Sequence, residues 1–422
     1  MKKFVSIVLC TLMLSSIPML GSGNQAFAAE NDNLSWTDAV EQSMALFDDG
    51  GGYYTGTKHP EGFTQNTWEG MDLAFQLGTS DQKPVIDVSK ARPSFCSSAC
   101  YMLLLRSLLT WDSGRNTISQ NAWVNLKPYT LDETDSSGNI ITPRENDGYG
   151  CWGRANANGP GLGVLTAELG AGTNYYVGNR TEYSNINQYY QAWDQAKPFD
   201  FLKIFWNSGI GCDDKNSDGD ERGHMVLFLK KIPSWNADSS RDDVIYYWSS
   251  NGSKTDINAG YGISKCRESK IYRAVLTRIT HPEKFNQASQ IKRDNVNSWL
   301  DSLNGKKHGT VAELKQNCKI GGSLRVDTTS YTMAPGSHYE IGSTVTAGEG
   351  KALKVTSTNS KAVRLNRLAN GNWNVTALSS GTAFIMYDLY DGSQKIAHTS
   401  VRITVQAKAK SHGDSKNQTA LF

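Results

Sequence analysis

Apolar residues recur at helical spacing through residues 34–47, which predicts an amphipathic helix stopped by Asp48-Asp49-Gly50-Gly51-Gly52. A second helix is expected over 68–77. The stretch 92–109 changes character within itself. Pro93 and its small polar neighbours resist helix, the residues after Ser98 favour it, and 101–111 is almost continuously apolar. It reads as a loop turning into a buried helix, with Cys96 near the first turn. Residues 116–150 are polar and are expected to form a surface loop or an insertion beside a cleft. Strand-like runs follow at 201–206, 225–230, 244–248 and 271–279. Helices followed by several antiparallel strands is an α+β order.

After Gly321 the period becomes two. Residues 352–357, 373–377, 383–387 and 399–405 alternate apolar and polar positions between turn residues, predicting a β-sandwich over 321–406. The run Asn372-Trp-Asn-Val-Thr-Ala-Leu-Ser-Ser-Gly-Thr-Ala-Phe-Ile-Met-Tyr387 resembles the bacterial Ig-like group 2 modules of secreted and surface proteins, a resemblance that covers most of 323–406 and implies architecture only. Residues 407–422 are polar and expected to be disordered. At the other end, Lys2 and Lys3, an apolar run over 4–20 and Ala26-Phe27-Ala28 form the pattern of a secretory signal peptide over 1–28. Cys10 lacks the small residues that precede a lipoprotein cysteine, so a soluble secreted protein is expected, and no later stretch is long and apolar enough for a membrane span. The catalytic-type α+β domain is placed at 29–320.

A formal charge of +2 is too small to imply a nucleic-acid partner. The 11 Trp and 18 Tyr suit glycan and cell-wall surfaces as well as an ordinary aromatic core. Six cysteines lie beyond residue 28, namely Cys96, Cys100, Cys151, Cys212, Cys266 and Cys318; if one is a free nucleophile, the odd number left cannot all pair internally. There is no His-Glu-x-x-His and no Cys-x-x-Cys, so no zinc centre is expected. The run 213–221 fits the first half of a calcium loop, but Met225 stands where the bidentate Glu belongs, and a solvated acidic turn is expected instead. No metal and no cofactor is therefore anticipated.

Cysteine at a helix start is well placed for chemistry, because unpaired N–H groups and the helix dipole stabilise a thiolate. Cys96 holds that position, whereas Cys100 lies deeper in the apolar run and is expected to be a small buried hydrophobe. The base expected for it is His224, in Gly223-His224-Met225-Val226 at the opening of a central strand; His59, His308, His338, His398 and His412 have polar or C-terminal settings, and His281 precedes Pro282. An orienting partner should come from the polar end of 244–251, where strand alternation puts Ser249 and Asn251 on one face. Asn251 is preferred, with Ser249 the alternative. The Gly- and Asn-rich run 150–161 is expected to be a shaped loop, either a structural turn or a substrate subsite using Trp152, Arg154, Asn156 and Asn158.

Cysteine at a helix start, Gly-His opening a strand and a polar residue on the next strand is the order of the papain-like fold. The chain is most similar to the NlpC-type and CHAP-type cell-wall cysteine hydrolases, which Ser94-Phe95-Cys96-Ser97-Ser98 and Gly223-His224-Met225-Val226 match in part. Phe95 and Ser98 stand where those families have Asp and Gly. The resemblance covers about 85–279 and implies a helix packed on an antiparallel sheet, and a cysteine amidohydrolase or peptidase acting on peptidoglycan peptides. A non-catalytic glycan- or cell-surface-binding protein on the same shell is the alternative, and a transferase using the same thioester chemistry a third. A monomer with a cell-wall peptide or glycan as partner is expected.

Overall fold

The computed structural model describes residues 34–406, apart from 80–81, 129–130, 135–139, 145–147, 213–218, 239, 254, 321–322, 347–350 and 392–393. The segment 1–28 expected as a signal peptide, the tail 407–422 and most of the acidic run that suggested a calcium loop lie outside the described residues.

Three helices lead the chain: α1 (Trp36–Met44), α2 (Thr67–Ala74) and α3 (Cys96–Asp112). Seven strands then complete one antiparallel sheet, β1 (Gly50–Tyr54), β2 (Gly172–Val177), β3 (Phe201–Phe205), β4 (Gly223–Ile232), β5 (Val244–Asn251), β6 (Thr255–Arg267) and β7 (Arg273–Ile279), in the order β1-β6-β5-β4-β3-β7-β2. This mixture of helix and antiparallel sheet is the α+β class read from the sequence. Alternation along β4 sends Met225 and Leu227 into one core with α3, and Val226 and Phe228 into a second core on the opposite face. Helix α3 is buried on nearly every side, with Leu103, Leu104, Leu105 and Leu108 all at 0 % exposure. That is why its sequence shows an apolar run where a surface helix would show a stripe.

Two sequence expectations change here. Residues 116–150 contain α4 (Gln120–Leu126), which buries Ala122, Trp123 and Leu126. The run 150–161, expected as a loop, instead holds α5 (Gly150–Asn156) and leads directly into α6 (Leu162–Leu169). Its glycines shape the helix ends: Gly150, Gly159 and Gly161 have φ of 52°, 92° and 50°, and between them Cys151, Trp152 and Ala155 form one buried face. A further helix, α7 (Ile186–Asp194), covers the second core through Tyr189 and Trp193.

The sheet also contains strands that glycine conceals from a propensity reading. Gly50, Gly51 and Gly52, expected only to end α1, run on as strand β1 against β6, with Gly51 opposite Gly260. A Cβ at Gly260 would lie 2.1 Å from the Gly50 carbonyl oxygen, so the two backbones meet at a distance no side chain permits.

Among the described residues beyond 322 there is no helix. A four-stranded sheet (Ser330–Met333, Gln394–Val405, Gly381–Asp391 and Lys351–Ser357) and a three-stranded one (His338–Ile341, Trp373–Ala377 and Val363–Arg367) share a core of residues such as Ile341, Val375, Ile385, Tyr387 and Ile403. Every member of that core lies between Leu324 and Val405. One joint to the rest of the chain is the Gln191 side chain of α7, whose Nε2 donates to the Val326 carbonyl at 3.1 Å while Oε1 accepts from the Val326 N–H at 3.2 Å. Among the described residues no helix is long and apolar enough to cross a membrane.

Because its core closes within its own segment, residues 321–406 expressed alone should unfold in one cooperative denaturant transition. A broad, non-cooperative profile for that fragment would show that its stability is borrowed from residues 34–320.

Candidate active site

The loop before α3 is fixed on two sides. Ser94 exchanges backbone bonds with β1 (its N–H to Gly52 O at 3.1 Å, its carbonyl from Tyr54 N at 3.0 Å), and its hydroxyl donates to Ser250 Oγ of β5 at 2.8 Å. Phe95 is extended, and its N–H donates to Ser98 Oγ at 2.9 Å, while that hydroxyl donates back to the Phe95 carbonyl at 2.8 Å. Ser98 thus closes the turn at a position where a glycine would leave the N–H unpaired. Cys96 follows as the first residue of α3, where backbone N–H groups lack intrahelical acceptors.

The register of the sheet brings the other two residues in. Strand β4 pairs antiparallel with β5, Leu227 opposite Trp248 and Phe228 opposite Tyr247, and extending that register sets His224 opposite Asn251. His224 Nε2 lies 3.2 Å from Asn251 Oδ1. The Asn251 NH2 group donates to the Ser249 carbonyl at 3.1 Å and the Gly262 carbonyl at 2.9 Å, which obliges its oxygen to face the imidazole. Nε2 must then carry a proton, leaving Nδ1 as the nitrogen that can exchange one with sulfur. The ring is braced edge-on by Tyr247 at 5.6 Å.

Burial by itself pushes the Cys96 thiol up, but hydrogen bonding to His224, the histidine charge, the Met225 backbone and the Lys203 ammonium outweigh it and bring the pKa down to about 7. Cys100, four residues on, behaves oppositely: burial first, and then the charge on Cys96, hold it well above the ordinary thiol range despite a hydrogen bond with Ser249. Burial pushes Cys151 up to about 12 and also raises Cys318. None of the six cysteines is in a disulfide.

The remaining sequence candidates separate clearly. Ser249 is fully buried and donates to the Met225 carbonyl at 2.7 Å, so it supports β4 and does not orient His224. Trp152, at 0 % exposure, packs against Tyr101 at 5.2 Å and Phe95 at 6.3 Å and so supports the helix that carries Cys96 from beneath; it does not line the cavity over Cys96. Arg154 is likewise buried, held by Glu168 at 2.5 Å and by the Gly150 and Asn295 carbonyls. Asn156 and Asn158 do line the cavity over Cys96, and Asn156 Oδ1 accepts from Ser97 Oγ at 2.8 Å.

That cavity, about 230 Å3, also exposes three residues that sequence reasoning missed. Lys203 and Glu221 form a nearly buried ion pair of 2.5 Å beside Cys96, and Glu221 Oε2 accepts from the Gly159 and Gly211 N–H groups at 2.6 and 2.7 Å. Tyr53 of β1 lines the cavity with Cys96; burial and the charge on Cys96 keep its hydroxyl protonated far above the ordinary range. A lone Lys inside the apolar run 201–206 was the legible signal for Lys203, whereas nothing around Tyr53 or Glu221 set them apart. A larger cavity, about 470 Å3, borders Arg278 and Lys395 at the junction with the C-terminal sheets. Asp200 and Asp388 already neutralise those two cations, and no cysteine is among its lining residues.

Alkylation of Cys96 should accelerate as pH rises through about 7, where the thiolate forms, and level off above it, with Cys100, Cys151 and Cys318 unreactive until the chain unfolds. His224→Ala removes a donor and a positive charge, so the midpoint should move upward; an unmoved midpoint means that the two groups do not interact. Trp152→Ala should cost about 3–5 kcal/mol of stability as a cavity in the core, read as a fall in the thermal midpoint.

Compared with known proteins, the chain matches no family model and no curated protein in sequence, so the reading of this site rests on its own geometry.

Proposed function

We propose that this chain is a secreted cysteine hydrolase of papain-like architecture, followed by an Ig-like module, that cleaves an amide bond in cell-wall peptides. The observation that carries the reading is the chain of contacts from Cys96 to His224 to Asn251, opening into a cavity with a thiol whose pKa is lowered to about 7. The export pattern at residues 1–28 and the partial match around Cys96 and His224 support it from the sequence.

Each residue then has a role. The Cys96 thiolate attacks the amide carbonyl carbon and the carbonyl π electrons move onto oxygen. That oxyanion lies against the Cys96 N–H at the start of α3 and the Tyr53 hydroxyl, both of them donors. Collapse expels the amine, which takes its proton from the His224 imidazolium, and leaves an acyl thioester on Cys96. Water, giving a proton to the neutral His224, attacks the thioester carbonyl, and collapse breaks the C–S bond to release the acid and restore the Cys96 thiolate beside the imidazolium. Asn251 keeps the imidazole in the tautomer and plane that these transfers need. Asn156, Asn158 and the Lys203–Glu221 pair present both donors and acceptors to a polar, short peptide.

The test is mass spectrometry of purified cell wall incubated with the mature protein, scoring newly released peptides and amines. Cys96→Ala should abolish release, and His224→Ala should reduce it by roughly 10²–10⁴-fold. Tyr53→Phe, which removes one oxyanion donor, should lower kcat by about 10²–10³-fold. Cys100→Ser should retain turnover while lowering stability, because it puts a hydroxyl into apolar packing. Release that persists in Cys96→Ala would refute the mechanism, and a reactive Cys96 without any release would point to a different amide.

A further inference from the structure

We propose that Cys212, Asp220 and His308 form a binding site for one thiophilic divalent cation of the zinc class. The three side chains offer a thiol sulfur, a carboxylate oxygen and a ring nitrogen that all lie within 4.8 Å of one another, with His308 Nε2 4.0 Å from Asp220 Oδ1. Bonds of about 2.0–2.3 Å around a tetrahedral ion place its ligands roughly 3.3–3.5 Å apart. The cluster is therefore slightly open, and each side chain needs to move by less than about 1 Å to close on an ion.

The backbone around these ligands is already stitched together. The Cys212 N–H donates to the Leu303 carbonyl, and Cys212 itself sits at φ +57°. Gly309, beside His308, donates to the Ile210 carbonyl at 2.8 Å; Glu221, beside Asp220, donates to the Gly211 carbonyl at 3.3 Å; and Asn207 Nδ2 donates to the Asp220 carbonyl at 2.6 Å. Chain neighbours of each ligand are thus bonded to chain neighbours of another, which fixes the approach of three segments that are remote in sequence. The donor set selects the ion. Calcium takes six to eight oxygens, whereas thiolate with imidazole and one carboxylate suits a borderline-soft ion and leaves a fourth position for water. Residues 213–218 are outside the described residues and contribute nothing to the argument. Spacing hid the site: the ligands are separated by 8 and 88 positions, so no short motif contains them.

The ion's structural effect follows from Asp220 and Glu221 being adjacent. Glu221 holds Lys203 and the Gly159 and Gly211 N–H groups in the wall of the cavity over Cys96, so an ion on Asp220 would anchor that wall from behind. The inference itself does not depend on the catalytic reading.

It is tested on the full mature chain carrying Cys96→Ala, so that the cavity thiol takes no metal. After incubation with zinc and dialysis, elemental analysis should find one zinc per chain, and cobalt(II) in its place should give a near-ultraviolet thiolate charge-transfer band. Cys212→Ser should abolish that band. His308→Ala, at a half-exposed position and with an unchanged circular dichroism spectrum, should weaken zinc binding by at least about tenfold. Substoichiometric zinc, zinc retained undiminished in His308→Ala, or displacement of zinc by calcium each overturns the proposal.

Discussion

The Asn251 amide satisfies two backbone carbonyls with its NH2 group and is left with only one direction for its oxygen, toward His224. That constraint settles which ring nitrogen carries the proton, and hence which one faces the thiol. It works because strands β4 and β5 are paired in a register that sets the two residues opposite each other. A slip of one residue would exchange the faces of β4, taking Val226 and Phe228 out of one core and Met225 and Leu227 out of the other, and would part His224 from Asn251. The two cores on either face of the sheet make such a slip prohibitive, so packing far from the cavity specifies the geometry within it.

Charge is balanced in the same economical manner. A thiolate at Cys96 is opposed by its own desolvation and is favoured by His224 and Lys203, with the helix start adding unpaired N–H groups. Lys203 does not stand alone in a dry environment, since Glu221 pairs with it and is in turn held by two backbone N–H groups. Cys100 has none of these partners. Two cysteines four residues apart on one helix therefore differ in their chemistry because of what surrounds them.

Much of this was legible in the sequence where a pattern was local. The helix start at Cys96, the strand opening at His224 and the face shared by Ser249 and Asn251 follow from periodicity over a few residues, as do most strands after residue 322. What failed to show was set by distant contacts. Trp152 and Arg154 have the residue types of a subsite, yet one fills the space beneath Phe95 and the other neutralises Glu168; whether a polar or aromatic side chain points into a cavity or a core is decided by the packing of separate helices. Strands β1 and β6 were masked by glycine, whose value there is the absence of a side chain, a property that no propensity scale rewards. Lys203 and Glu221 meet only because β3 and β4 pair, and the choice between Asn251 and Ser249 needed the hydrogen-bond partners of both.

The contact between Gly51 and Gly260 carries a consequence for how this protein can vary. Tyr53 reaches the Cys96 sulfur from an edge strand whose distance from the sheet is set by backbone atoms alone, with no side chain acting as a spacer. Enlarging Gly260 by a single methyl group would push β1 outward and carry the phenol away from the thiol, without altering any residue that touches a substrate. The position of that hydroxyl is thus governed by main-chain van der Waals radii, and it offers mutation no gradual adjustment: the strand sits at the distance two glycines allow, or the phenol leaves the sulfur.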